Sequence, residues 1–119
     1  MARNISFFLT KRQFLDRSKD VTRRLGWNWA KPGDVLCGIE KGQGLKKGER
    51  IVRLGDIRLI SVRQEPLQRM LDDPEYGAGE VRREGFPEMT PAEFVEFFCR
   101  SHSGCTADRP LTRLEFSYI

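Results

Sequence analysis

Residues 18–29, with the sequence SKDVTRRLGWNW, hold the most unusual combination of side chains in this chain. Cationic and β-branched residues alternate there, so Thr22 and Arg24 would share a face in an extended segment. Both tryptophans of the protein, Trp27 and Trp29, follow directly. If the segment lines a pocket, its cations, hydroxyl and indole faces suit a planar, hydrogen-bonding or anionic ligand such as a nucleobase or nucleotide. The alternative is a solvated basic loop whose tryptophans close the core.

The totals indicate a single folded domain spanning residues 1–119. A chain of 119 residues can build one hydrophobic core without disulfides or metal. Hydrophobic residues make up 39% and charged residues 32%, which argues against disorder. The sequence has no apolar run of membrane-spanning length and begins without the apolar core of a signal peptide. We therefore expect a cytoplasmic protein with no membrane partner, and we favour a monomer, although the sequence leaves the oligomeric state open.

The positive charge is concentrated in one half of the chain. Residues 11–58 carry thirteen Lys or Arg against six Asp or Glu, a net +7, whereas residues 59–119 carry seven against eleven, a net −4. Arg3 supplies the remaining charge of the overall +4. Fifteen of the 21 basic residues are Arg, which contacts phosphate in bidentate fashion and stacks on bases. This distribution favours a phosphate-bearing partner such as RNA or a nucleotide.

One cluster has the residue types of a metal site. Cys99, His102 and Cys105 are evenly spaced, but a structural zinc site needs four ligands and the remaining cysteine, Cys37, is far away in sequence. We therefore predict no metal and no cofactor. Instead, we expect Cys99 to pack inside a helix and the other two residues to lie in the loop after it.

Periodicity and turn signals predict more strands than helices. The predicted elements are a strand over 4–9, a short helix over 11–16, an extended and then looped segment over 19–29, strands over 35–39 and 50–62, short helices over 67–71 and 79–83, a helix over 91–101 and a strand over 111–119. With the extended segment counted as a strand, strands outnumber helices, and this order predicts an α+β or small-barrel fold rather than a doubly wound parallel sheet.

Several details of these elements can be checked individually. In the first strand, Ile5, Phe7 and Leu9 should share one face. Thr10 should cap the first helix, which turns Phe14 and Leu15 inward. A slip in the alternation at Gly55-Asp56 predicts a bulge or turn. Pro66 suits the first turn of the short helix that follows, and residues 72–74 should end that helix.

Residues 40–49 form a glycine-punctuated basic loop. It lacks the Gly-Lys-Ser/Thr ending of a phosphate-binding loop of the Walker type. Its glycines could still let the backbone approach a ligand, with Lys41 and Gln43 as ligand-binding candidates. A flexible hairpin connection is the alternative.

The clearest local signal is Thr90-Pro91-Ala92-Glu93, a capping box with Pro at the first helical position. It opens the helix over residues 91–101. The apolar residues of that helix fall at helical spacing, and we predict that they belong to the core rather than to a ligand site. They are Phe94, Val95, Phe97 and Phe98.

Taken together, four features resemble the ASCH domains of the PUA-like superfamily. They are the opening strand with its short helix, the Lys19-x-x-Thr22-x-Arg24 motif, the Pro32-Gly33-Asp34 turn into a strand, and Glu84-Gly85-Phe86 ahead of a Phe-rich helix and a closing Phe-x-Tyr strand. The resemblance covers nearly the whole chain. It implies a small β-barrel with peripheral short helices and a cleft that handles RNA or modified nucleosides.

Some members of this group resemble small bacterial amidohydrolases that remove an acyl group from the exocyclic nitrogen of cytidine, as in N4-acetylcytidine. By that resemblance, Lys19, Thr22 and Glu84 would form the catalytic set. A threonine hydroxyl needs a nearby base to become a nucleophile, and a lysine serves as that base only when burial or a neighbouring cation lowers its pKa. Arg23 or Arg24 could be that cation, and Arg24 could also orient the substrate or stabilise an oxyanion.

Three functions follow as hypotheses. In the first, the domain binds RNA, a nucleotide or a modified nucleoside in a cleft lined by Lys19, Thr22, Arg24 and Glu84, with Arg23, Trp27 and Trp29 as further contacts. In the second, the same cleft is an amidohydrolase site for an N4-acylated cytidine-like nucleoside. In the third, the domain is a protein-interaction or regulatory module without catalysis.

Overall fold

The computed structural model describes residues 3–119, which form five strands and four helices. They are β1 (Arg3–Ser6), α1 (Lys11–Leu15), β2 (Val21–Arg24), β3 (Val35–Ile39), β4 (Arg53–Pro66), α2 (Gln68–Asp72), α3 (Pro74–Glu84), α4 (Pro91–Ser101) and β5 (Pro110–Tyr118). No helix in this part of the chain has the length and apolar character needed to cross a membrane.

The strands make one mixed sheet in the order β1-β3-β4-β5-β2, which curves into a half-barrel. β1 runs parallel to β3, and every other neighbouring pair is antiparallel. β4 is 14 residues long and pairs with β3 on one side and β5 on the other, so it organises the sheet. The predicted α+β class, with short helices around a small barrel-like sheet, is confirmed.

Two groups of buried apolar side chains hold the fold together. The first lies between the sheet and α1, and the second lies where α2, α3 and α4 pack on the end of the sheet. β5 contributes to both, because Leu114 and Phe116 belong to the first group and Leu111 to the second. This shared strand couples the helical layer to the barrel.

The predicted irregularity near Gly55 is present. Gly38 pairs with Gly55 and Ile39 pairs with Arg53, so Leu54 is an extra residue on β4. Gly55 has φ of +148°, a conformation that side-chain-bearing residues rarely adopt.

The N-terminal predictions were only partly right. β1 ends at Ser6, and the backbone N–H groups of Phe7 and Thr10 then bond to the carbonyls of Ile39 and Phe7 as the chain turns. Leu9 and Leu15 are therefore exposed rather than turned inward. Thr10 precedes α1 without a capping hydrogen bond from its side chain.

The helices after β4 differ most from the prediction. Pro66 ends β4 instead of opening α2. The predicted 79–83 helix is the second half of α3, which has 11 residues and begins at Pro74. The side chain of Asp73 accepts a hydrogen bond from the N–H of Tyr76 and caps this helix. The Asp-Pro pair thus starts a helix as well as ending the one before it.

Candidate ligand-binding cavity

A cavity of about 200 Å³ lies between β2, the end of α3, the face of α4 and the segment that joins β1 to α1. Its lining includes Lys19, Thr22, Arg23, Arg24 and Glu84. The structure thus brings together at one cavity all three residues of the predicted catalytic set and both predicted arginine contacts.

Backbone contacts hold the start of β2, which carries Lys19 next to it, against the end of α3, which carries Glu84. The N–H of Asp20 bonds to the carbonyl of Arg83, which ties the start of β2 to the end of α3. α3 ends at Gly85, whose φ is +104°. A Cβ at Gly85 would lie 2.7 Å from Cγ of Gln13, so only glycine permits this close approach. Glu84 is thereby held opposite Lys19.

Lys19 and Glu84 form a buried ion pair. The Nζ of Lys19 lies 2.9 Å from Oε1 of Glu84 and 2.8 Å from its backbone carbonyl oxygen. The side chains are 2% and 4% exposed. Burial lowers the pKa of Lys19, while the Glu84 carboxylate opposes that shift. The pair therefore holds a lysine that gives up its proton more readily than an exposed one.

Arg23 connects this pair to a larger group of buried charges. Its NH1 lies 2.9 Å from Oε2 of Glu84, and its NH2 lies 2.8 Å from Glu65 and 2.7 Å from Glu80. Arg113 donates to Glu80 as well. Burial opposes the charge of Arg23, but these carboxylates outweigh it and raise its pKa. The guanidinium of Arg23 is thus engaged by the protein itself.

Arg24 is in a different situation. Its Nε donates to Oγ1 of Thr22 at 3.1 Å, which confirms that the two side chains share a face, and its guanidinium lies 5.0 Å from the centroid of the Phe7 ring. Within residues 3–119 it forms no ion pair with a carboxylate. Burial lowers the pKa of Arg24 to about 10, although Glu84 opposes that shift, so it stays cationic at neutral pH. Its terminal N–H groups are available to a ligand.

The opposite wall of the cavity is aromatic. It includes Phe86 and three residues of α4, Phe94, Phe97 and Phe98, followed by His102 at the end of that helix. Phe94 and Phe98 are buried in the core, as predicted, and they also belong to the lining of this cavity. The sequence could have indicated this wall, because residues 94, 98 and 102 are spaced four apart and therefore lie on one face of the helix.

The remaining ligand-binding candidates lie outside the cavity lining. Trp27 packs on the barrel core and stacks on Trp29 at 5.0 Å, and the guanidinium of Arg3 covers the Trp29 ring at 4.3 Å. Gln43 is exposed in its loop. Lys41 pairs with Glu49, and its Nζ lies 5.9 Å from the ring of Phe8. Because Phe8 is an exposed residue of the lining, Lys41 lies near the rim.

The residues of the Cys-x-x-His-x-x-Cys cluster lie at the end of α4 and just after it. Nowhere in residues 3–119 do three or more His, Cys, Asp or Glu side chains converge as ligands. The sulfurs of Cys99 and Cys105 lie 2.8 Å apart, and Nδ1 of His102 contacts the carbonyl of Phe98 instead of the sulfurs. Cys99 lies in α4 and the other two follow it, as expected.

Comparison with known proteins supports the fold and is silent on function. No family model and no curated protein matches the sequence. The fold is similar to the crystal structure of protein EF3133 from Enterococcus faecalis V583, described as a DUF984 protein, with a TM-score of 0.66 and 15% identity over 100% of this chain and 80% of that chain. At this identity the similarity shows that the two chains share a fold and nothing more.

Proposed function

We propose that the cavity binds the base of a nucleotide or modified nucleoside, either free or within RNA. One observation carries the proposal: Lys19, Thr22, Arg24 and Glu84 surround a single cavity whose opposite wall is aromatic. Aromatic walls stack on bases, and guanidinium N–H groups donate to base carbonyls. These are the two kinds of contact by which proteins hold an unstacked base.

The size of the cavity restricts the ligand further. At about 200 Å³ it is smaller than the ~300–1,000 Å³ of sites for drug-sized ligands. It therefore suits one ring system rather than a stacked pair or a duplex groove. If the base belongs to RNA, it has to be unpaired and turned out of its stack, while Lys41 and Phe8 at the rim meet the flanking nucleotide.

A second candidate, amidohydrolysis of an N4-acylated cytidine, is favoured by the Thr22 hydroxyl lying at the same cavity as the buried Lys19–Glu84 pair. In this reaction Lys19, as the neutral amine, takes the Thr22 proton, and Oγ1 attacks the acyl carbonyl carbon. Arg24 donates to the oxyanion, and the proton passes to the amine as the C–N bond breaks. Water then hydrolyses the Thr22 ester, so that one amide and one water give an amine and a carboxylic acid.

Calorimetric titration tests the binding proposal with N4-acetylcytidine, cytidine, uridine and a short single-stranded RNA as probes. We expect measurable affinity for at least one of them and a loss of about tenfold or more in Arg24→Gln, because hydrogen bonds to charged groups contribute ~1.5–3 kcal/mol. Arg12→Gln is the matched control, since the Arg12 side chain is 80% exposed on α1. Undetectable binding by the native protein would refute the proposal and leave a protein-interaction module as the remaining hypothesis.

Chromatography of N4-acetylcytidine after incubation tests the amidohydrolase. Thr22→Ala should abolish release of cytidine while the calorimetric affinity for the nucleoside remains, because the hydroxyl is needed for bond formation rather than for stacking. Turnover retained in Thr22→Ala would rule out this nucleophile. Binding without turnover in the native protein would leave the cavity as a reader of bases.

A further inference from the structure

His102 is the one histidine of the chain, and it lies in the aromatic wall of the cavity. It follows α4 as its C-cap residue. Its ring stacks on that of Phe98, with centroids 4.0 Å apart and planes inclined by 11°. Phe98 covers one face of the imidazole, so a ligand has access only to the other face and the ring edge.

Hydrogen bonding determines which ring nitrogen carries the proton. Nδ1 of His102 lies 2.9 Å from the carbonyl oxygen of Phe98. A carbonyl oxygen can only accept, so Nδ1 has to donate, and Nε2 of the neutral ring is then an acceptor. No residue between 3 and 119 forms a hydrogen bond with Nε2. Nε2 is therefore an acceptor without a partner among these residues, on a ring that belongs to the cavity lining.

The charged groups across the cavity offer no comparable acceptor. Both oxygens of Glu84 are already engaged, Oε1 by Lys19 and Oε2 by Arg23. Arg24 offers only N–H donors. A ligand that forms hydrogen bonds with both Arg24 and His102 thus needs an acceptor oxygen for Arg24 and an N–H donor for His102.

We propose that Nε2 of His102 accepts a hydrogen bond from an N–H of the bound ring and makes the cavity selective for heterocycles that carry both a carbonyl and an N–H. The inference rests on the proposed binding of a base in this cavity. His102 acts as a specificity residue, since it contacts the ligand and takes no part in bond breaking. The selected class includes amide, imide and exocyclic-amine edges, and it excludes the same rings alkylated at that nitrogen.

Two pairs of probes differ by this one feature. Methyl groups replace the N–H in N4,N4-dimethylcytidine relative to cytidine, and in 3-methyluridine relative to uridine. For whichever pair binds, we expect the native protein to prefer the unmethylated member by about tenfold, the effect of one hydrogen bond with an unpaired partner left behind. Calorimetric titration of the full chain at fixed ionic strength measures both affinities.

Two variants separate hydrogen bonding from shape. His102→Phe keeps a flat ring on Phe98 but has no acceptor, so the preference should vanish and affinity for the unmethylated probe should fall about tenfold. His102→Gln can place an amide oxygen near the position of Nε2 and should retain part of the preference. His102→Ala is not needed, because it would also remove the stacking.

Several results would overturn the inference. Equal binding of both members of a pair by the native protein would do so, and so would a preference that survives in His102→Phe, because sterics would then explain it. If the native protein binds N4-acetylcytidine but discriminates within neither pair, the inference fails and the proposed function stands. If no nucleoside binds at all, both fail together.

Discussion

The two faces of β2 carry adjacent arginines with opposite roles. On one face, Arg23 is buried and bonded to three carboxylates, those of Glu65, Glu80 and Glu84. On the other face, Arg24 bonds only to the Thr22 hydroxyl and keeps its terminal N–H groups open to the cavity. A one-residue step along a strand turns a side chain to the opposite face, so neighbouring identical residues have different surroundings.

This difference shows how one short strand can serve stability and binding together. The Arg23 face fixes the carboxylate of Glu84 at Oε2, and Lys19 binds the same carboxylate at Oε1. The buried ion pairs of Arg23 and Lys19 therefore fix the position of Glu84 at the cavity. Arg24 adds the one cation of this strand that the protein leaves without a carboxylate partner among residues 3–119.

The largest expected effect is on stability, in Arg23→Met. Removing the shared guanidinium leaves three buried carboxylates without it, and breaking a buried ion pair costs about 3–5 kcal/mol. Urea denaturation measures the free energy of unfolding. Arg24→Met is the matched control and should cost less, about 2 kcal/mol, through its lost contact with the Phe7 ring. Similar costs for the two variants would contradict the division of roles between the two faces.

The Arg23 face should also make the fold sensitive to acid. Burial opposes ionisation of Glu65 and Glu80, but hydrogen bonds from Arg63, Tyr76 and Arg23 outweigh it at Glu65 and lower that pKa to about 2. Bonds from Arg113 and the charge of Arg23 likewise lower the pKa of Glu80 to about 2. Both pKa values lie below the ordinary glutamate pKa of 4.5, so the unfolded chain binds more protons than the folded chain in this range.

The stability contributed by these two carboxylates is fully present above their unfolded pKa and is lost as the pH falls from about 5 towards 2. We expect the free energy of unfolding, measured by denaturant titration at successive pH values, to decline steeply across that window. Glu80→Gln should flatten the decline relative to the native protein. An unchanged slope in Glu80→Gln would show that other groups carry the acid sensitivity.

The sequence predicts the surroundings of Arg24 better than those of Arg23. The alternation of Thr22 and Arg24 placed them together because strand periodicity is local, and the capping box predicted the start of α4 for the same reason. The surroundings of Arg23 depend on Glu65 and Glu80, which lie 42 and 57 residues away. No local pattern reports such contacts, so the sequence does not distinguish Arg23 from Arg24 as a ligand contact.

Local sequence patterns likewise do not show which aromatic residues border the cavity. The phenylalanines of α4 were recognised as an apolar face, but periodicity does not tell a face that packs on other helices from one that also borders a cavity. For the tryptophans, the sequence predicts either ligand contacts or side chains that close the core, and it does not decide between the two. Trp27 has φ of +57°, and with Gly26 at +77° the chain turns away after β2. The indole of Trp27 therefore packs on the barrel core, and the exposed indole of Trp29 stacks on it.

The smallest change in stability and affinity is expected at Trp29, and it tests whether the binding surface extends beyond the cavity. Trp29 is 44% exposed, stacks on Trp27 and lies under the Arg3 guanidinium, but it does not line the cavity. Trp29→Ala should leave the affinity for nucleosides unchanged and cost about 0.5–1 kcal/mol of stability, the size of an exposed cation–π contact. Calorimetry of Trp29→Ala beside Arg24→Gln compares the two directly. Loss of affinity in both would extend the binding surface from the cavity onto the tryptophan pair, and loss in Arg24→Gln alone would confine it to the open face of β2.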